Sequence, residues 1–436
     1  MVGLRACPSP VAVAYNSGRQ KQGSAIVITS LRLKNFKNFA DETLKLGPFT
    51  VIVGANASGK SNIRDAFRFL HGIGRGYTLA EAIGGKVGGG GYVEWEPIRG
   101  VPNEIVRFGQ PYADGIGEFY SKMELDLDGK KIAYSIGVGI NPGAQDGFRL
   151  LSEMMQIDES PVFGSIISEQ EWSFIHEARP SLTKPIAYDP LVDCERLRLC
   201  SLIERMRFLD LSPAQMREPS IPGAATLGNR GQNLPTVLEA ICADPDRKHV
   251  LTSWLQELTP MDVGDFEFPR DPSGRVHLYI TERNGRKVSA YSASDGTLRF
   301  LAMLAMLLNE DDGGTYFFED IDSGIHPNRL WLLLELIEKQ TAKGNIQVIT
   351  TTHSPALLAW MNDETFENTS IMYRDEHATD SVIRPIADLY NLRELRKSQG
   401  LERLLTNGWL ENAMKSSEGI PDTDYLVDGD EEDAIG

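Results

Sequence analysis

The sequence predicts an α/β protein: a mixed, mostly parallel sheet, an antiparallel β subdomain, and an inserted middle region of helices and strands without a long coiled coil. Three features lead there. A G-x-x-x-x-G-K-S loop, Gly54-Ala55-Asn56-Ala57-Ser58-Gly59-Lys60-Ser61, directly follows the apolar run Phe49-Thr50-Val51-Ile52-Val53. Two later apolar runs, Thr315 to Phe318 and Ile346 to Thr350, flank a helix-period segment at residues 329–341, the spacing of parallel strands joined by a crossover helix. A third pair, Phe119 to Leu127 and Lys131 to Ile140, meets at Asp128-Gly129, the strongest short signal for an antiparallel hairpin.

In order along the chain, Ile26 to Leu33 and Glu42 to Leu46 read as strands separated by a turn at residues 34–39, and the phosphate-loop strand follows. After the loop, Ile63, Ala66, Phe67 and Leu70 recur at helical spacing, which predicts a helix over about residues 59–71 with one buried face. Residues 84–91 are too glycine-rich for regular structure and read as a surface loop. The middle region predicts helices at residues 191–206, 234–243 and 248–258, a strand at 207–211, and strands at 275–281 and 287–291. A helix at residues 296–308 then leads into the two parallel strands. The expected organisation is an N-terminal extension (1–24, read as disordered), a lobe with the phosphate loop and antiparallel strands (25–145), the middle region (146–285), a second lobe (286–400), and a C-terminal helix with an acidic tail (401–436).

The glycine loop ahead of a helix is a cradle for a nucleoside triphosphate, because backbone N–H groups and the positive helix end face the phosphates. Gly54, Asn56, Ala57, Ser58, Gly59, Lys60, Ser61 and Asn62 are the expected nucleotide-binding residues. Lys60 reaches the β- and γ-phosphates, and the Ser61 hydroxyl is a ligand for Mg²⁺. Glu319 and Asp320 stand where an apolar strand meets its loop, placed to hold the cation and to polarise an attacking water. His353 ends the next strand at the same sheet edge, within the run Thr350-Thr351-Thr352-His353.

Composition narrows the class further. The four cysteines lack C-x-x-C spacing, so neither a zinc site nor a disulfide framework is expected, and a reducing cytoplasm fits. No apolar run approaches the ~20 residues of a membrane span. The net charge of −17 means that any nucleic-acid contact must come from a local basic patch. The stretch with Arg196, Arg198, Arg205 and Arg207 is the candidate, diluted by Glu195 and Glu204, and a solvated helix face competes with that reading. The acidic tail carries Asp428-Gly429-Asp430, read as solvated rather than as a metal pair.

The segment Tyr291-Ser292-Ala293-Ser294-Asp295-Gly296-Thr297-Leu298-Arg299-Phe300 resembles the signature of ABC-type ATPases of the SMC, RecF and OLD group. The full order resembles stand-alone OLD-like AAA ATPases, from Leu33-Lys34-Asn35-Phe36-Lys37-Asn38-Phe39 through the phosphate loop and signature to His326-Pro327 and Thr352-His353-Ser354-Pro355. The resemblance implies ATP and Mg²⁺ as cofactors and a dimer that sandwiches two nucleotides, with Ser294, Asp295 and Gly296 acting in trans on the opposite γ-phosphate. It further implies Glu319 beside the cation, Asp320 as catalytic base, residues 323–326 facing the partner subunit, and His353 as the switch. The family usually has Asp-Glu or Glu-Glu where this chain has Glu319-Asp320, and the shorter base implies slow hydrolysis. A family glutamine between the phosphate loop and the signature is not assignable, with Gln110 a weak candidate.

The expected function is therefore a cytoplasmic ATPase that assembles on nucleotide and regulates a separate effector. Resemblance to the ATPase components of Septu and PARIS anti-phage systems implies that the effector is a nuclease. Only 83 residues follow His353, short for the TOPRIM nuclease fused in OLD proteins, so nuclease chemistry is expected on another chain. The alternatives are a RecF-like DNA-binding repair mediator and a nucleotide-gated scaffold with little hydrolysis.

Overall fold

The computed structural model describes residues 26–109, 117–141, 147–166, 180–184, 190–259, 261–309, 313–323, 325, 327–354, 357–358, 360–374 and 378–389. The N-terminal extension, the C-terminal helix and acidic tail, Gln110 and His326 lie outside them.

The chain opens with β1 (Ile26–Phe36), β2 (Phe39–Lys45) and β3 (Phe49–Val53), and the phosphate loop leads into α1 (Lys60–Gly74). There follow α2 (Leu79–Gly84), a ribbon of β4 (Lys86–Val87) and β5 (Val93–Trp95), and the long strands β6 (Gly117–Leu127), β7 (Lys130–Ile140), β8 (Phe148–Ile157) and β9 (Ser160–Ile166). Next come α3 (Pro190–Glu204), β10 (Arg207–Leu209), α4 (Pro213–Met216), α5 (Leu234–Cys242) and α6 (Pro245–Leu258). A three-stranded antiparallel sheet of β11 (Val263–Glu267), β12 (Tyr279–Glu282) and β13 (Lys287–Ser289) precedes α7 (Asp295–Leu307). The last part alternates β14 (Gly314–Phe318), α8 (Pro327–Thr341), β15 (Ile346–Thr352), α9 (Asp363–Glu367), β16 (Ser370–Tyr373) and β17 (Val382–Pro385).

Two six-stranded sheets organise these elements. One runs β10-β14-β15-β3-β16-β17, parallel except for β17, so the loops after β3, β14 and β15 open at one edge. The other is antiparallel, β2-β1-β6-β7-β8-β9. Its β6–β7 turn has Asp128 at φ 57° and Gly129 at φ 80°, with Leu127 paired to Lys130, the two-residue turn that the Asp-Gly signal predicts.

Both faces of the parallel sheet are covered. Phe49, Val51, Tyr316, Phe318 and Val348 point into one core with α5 to α8; Ile52, Phe317 and Ile349 point into a second core with α1 and the antiparallel sheet. That period-2 split explains why these strands read as continuous apolar runs. On α1, Ile63, Ala66, Phe67 and Leu70 are buried as their spacing predicts. Helix α7 is apolar almost all round and correspondingly buried from Thr297 to Leu307 except at Arg299.

Gln347 joins the two sheets. Its side chain is 1% exposed, accepts from the Ile28 N–H (3.1 Å), and donates to the carbonyls of Ile28 (2.7 Å) and Gly47 (2.9 Å). The β1–β6 register slips between Ile28 and Ser30, and the amide takes up the backbone groups left there.

Three expectations are corrected. The antiparallel sheet continues past residue 145 into β8 and β9, and β10, inside the region read as an insertion, is the edge strand of the parallel sheet. Lys86 and Val87, within the glycine-rich stretch, pair with Trp95 and Val93 because the residues on either side of the glycines are strand-competent. Among the described residues the longest helices have 15 residues, as expected for a fold without a long coiled coil, and no helix is long and apolar enough to cross a membrane.

Candidate nucleotide site

The phosphate loop sits between the end of β3 and the start of α1, and its shape depends on residues that tolerate unusual backbone. Gly59 caps α1 at φ 102°, Ala57 lies at φ 63°, and a Cβ on Gly54 would stand 2.4 Å from the Met372 carbonyl oxygen. No side chain caps α1 and no acid occupies its first turn, so its leading N–H groups and dipole face the loop.

Lys60 is 6% exposed. Its ammonium donates to the carbonyls of Gly54 (2.6 Å) and Ala55 (2.8 Å) and lies 3.2 Å from His353 Nδ1. Burial pushes it below the usual lysine value, opposed by Asp320 and Asp322. His353 Nε2 is in turn 3.1 Å from Asp320 Oδ1. The structure thus brings Lys60 from the start of α1 together with Asp320 and His353 from beyond the ends of β14 and β15 into one contiguous chain.

Glu319 is held differently. Arg64 on α1 donates to its Oε2 at 3.1 Å, and Arg99 lies 3.6 Å from Oε1, which is buried without a hydrogen-bond partner. Asp322 Oδ1 is likewise buried and unpaired. Carboxylate oxygens in this condition are hard donors of the kind a magnesium ion takes, so their chemistry fits that cation. The arginines went unnoticed in the sequence because nothing local relates residues 64, 99 and 319.

A cleft of about 410 Å³ opens beside the loop, lined by Lys37, Asn38, Asn62, Arg99, Gly100 and Glu104. Lys37 and Asn38 form the β1–β2 turn; Asn62 Nδ2 donates to Asn38 Oδ1 (2.7 Å), and Lys37 pairs with Asp65 of α1 (2.5 Å). Burial lowers the Lys37 ammonium from its ordinary value.

The signature residues stand apart at the start of α7. Ser294 accepts from the Thr297 N–H at 3.1 Å, and Asp295 pairs with Arg217 at 2.6 Å. Ser294 and Asp295 are exposed, and Gly296 is half-buried. Of the arginines weighed as a phosphate-binding patch, Arg196 is 1% exposed and paired with Asp193, Arg198 pairs with Asp128 and Glu195, and Arg207 donates to the Leu227 carbonyl, while Arg205 is exposed.

Residues 49–111 and 253–359 match the family model described as "AAA domain, putative AbiEii toxin, Type IV TA system", which spans the phosphate loop, signature, acidic strand and His353. These two stretches resemble the ATPase domain that the model describes. The chain is 36% identical over 76 residues, 16% of its length, to the chromosome condensation protein dpy-27 of Caenorhabditis elegans. It is 31% identical over 111 residues, 25% of this chain, to the chromosome partition protein Smc of Clostridium kluyveri. The matched stretches span only 5% and 8% of those two relatives. Among solved structures, an SMC head bound to the C-terminal winged-helix domain of ScpA covers 82% of this chain and 96% of its own at 15% identity and TM-score 0.47. The SMC head of Thermotoga maritima covers 82% and 98% at 14% identity and TM-score 0.39.

Proposed function

We propose that the protein binds ATP at residues 54–62, hydrolyses it slowly, and pairs with a second copy when nucleotide is bound. The observation that carries this reading is the Lys60–His353–Asp320 chain at the carboxyl edge of the parallel sheet, with Glu319 beside it. Lys60 would meet the β- and γ-phosphates. Asp320 would orient and deprotonate the attacking water, and His353 would relay the state of the γ-phosphate between Lys60 and Asp320. Ser61 and Glu319 would hold Mg²⁺, which supplies charge neutralisation on the β- and γ-oxygens. The cleft at Lys37, Asn38 and Asn62 would take the nucleoside side of ATP.

Ser294, Asp295 and Gly296 would contact a second subunit, which the exposure of Ser294 and Asp295 at a capped helix start supports. A dimer formed this way, in the cytoplasm, would control a separate effector protein, a nuclease of anti-phage defence.

The test is mass in solution with ATP and Mg²⁺ for the native protein, Lys60→Ala and Ser294→Arg. Nucleotide-dependent doubling in the native protein, absent in both variants, is expected. An identical mass in all three, with and without ATP, would remove the trans role of the signature.

A further inference from the structure

Strand β15 ends in three consecutive threonines, each essentially buried (Thr350 0%, Thr351 2%, Thr352 0% exposed). A buried hydroxyl without a partner is costly, so three in a row within a fully covered strand call for three partners. The partners are all parts of the site. Thr350 Oγ1 donates to the Phe318 carbonyl at the end of β14 (3.1 Å), and Thr352 Oγ1 accepts from the Ser354 N–H just after His353 (3.0 Å). Thr351 has the closest tie to the chemistry. Its hydroxyl accepts from the Asp320 N–H at 3.0 Å and donates to Asp320 Oδ1 at 3.3 Å, while its carbonyl accepts from the Ile321 N–H at 3.1 Å.

Asp320 needs such support. Its φ of 48° lies in the left-handed region, disfavoured for a residue with a Cβ, and such a conformation persists only where its surroundings hold it. The same carboxylate oxygen also faces His353 Nε2. Thr351 therefore fixes the backbone of Asp320 and, together with His353, the direction of its carboxylate. We infer that Thr351 is the positioning residue for the general base, clamping the short Asp320 side chain in its left-handed turn so that it faces the γ-phosphate position. The inference rests on the proposed hydrolysis for its catalytic meaning, but the clamp itself is a structural statement that can be tested alone.

Thr351→Val keeps the shape and removes the hydroxyl, and Thr351→Ser restores it. Two measurements on the full chain separate the questions. Amide hydrogen exchange of residues 319–323 should quicken about tenfold in Thr351→Val and return in Thr351→Ser; unchanged exchange overturns the clamp. ATP turnover should fall about 10- to 100-fold in kcat with KM unchanged and recover in Thr351→Ser. Adding Thr351→Val to Asp320→Asn should cost nothing further. A native-like kcat in Thr351→Val, or full additivity with Asp320→Asn, overturns the positioning role. No turnover in the native protein, with quickened exchange in Thr351→Val, would instead overturn the proposed hydrolysis and leave the clamp standing.

Discussion

Helices α1 and α7 begin at the phosphate loop and at the signature segment, yet their first turns are built in opposite ways. Helix α1 starts from a glycine at φ 102°, with no side-chain cap and no acid, so its positive end is left for a ligand. Helix α7 starts from Ser294, which caps the Thr297 N–H, and carries Asp295 in its first turn, so its helix end is already compensated. The contrast teaches that one N-terminus is left electrostatically open while the other is satisfied within its own helix, as the proposed division between nucleotide binding and subunit contact requires. Substitutions at the two ends should therefore divide cleanly between binding and assembly.

The largest effect is expected at the loop that feeds α1. Gly54→Ala would drive a Cβ to 2.4 Å from the backbone oxygen of Met372, and since backbone must shift, a loss of about 3 kcal/mol of stability is expected together with loss of ATP binding. Calorimetric titration alongside thermal melting checks both; intact affinity would mean that the loop geometry is not what holds the phosphates.

The opposite end of α1 gives the second test. His71 is packed against Trp95 and Phe208, and burial, reinforced by Arg75, Arg68 and Arg207, pushes its imidazole down to about 3. Between that value and the ordinary 6.5 the unfolded chain binds a proton that the folded chain refuses, so stability falls as pH drops through this window. At pH 5 the loss is about 2 kcal/mol, and His71→Phe should abolish it. Urea midpoints at pH 7 and pH 5 decide: parallel losses in native protein and variant would place the acid sensitivity elsewhere.

The smallest effect belongs to α7. Ser294→Ala removes the cap and should cost about 1 kcal/mol without altering ATP affinity of a single subunit. A matching drop in affinity would break the division between the two helix ends.

The phosphate loop, the acidic strand, His353 and the Asp128-Gly129 turn were all legible in the sequence because each is a local pattern in a strand-to-loop setting. Strand β8 was not, because Glu153 occupies an inward position. It is 1% exposed and accepts from the Tyr134 hydroxyl and the N–H groups of Ser181 and Leu182, so a charged residue stands where alternation requires an apolar one. Strand β10 was legible as a strand, but its place at the edge of the parallel sheet is set by its pairing with β14 and not by its own pattern. The pairing of Glu319 with Arg64 and Arg99 is tertiary and leaves no local trace. The threonines of β15 did leave one, since hydroxyls in a strand that ought to be buried must have partners.

Gln347 and Thr351 lie four residues apart on β15, one fastened to the antiparallel sheet and the other to Asp320. At the ~3.3 Å rise of a parallel strand this is a stiff span of about 13 Å. If the proposed site binds ATP, a shift of the acid turn or of His353 on γ-phosphate loss would reach β1 as a pull on backbone hydrogen bonds. The antiparallel sheet would then be the far arm of a balance whose pivot is a single strand.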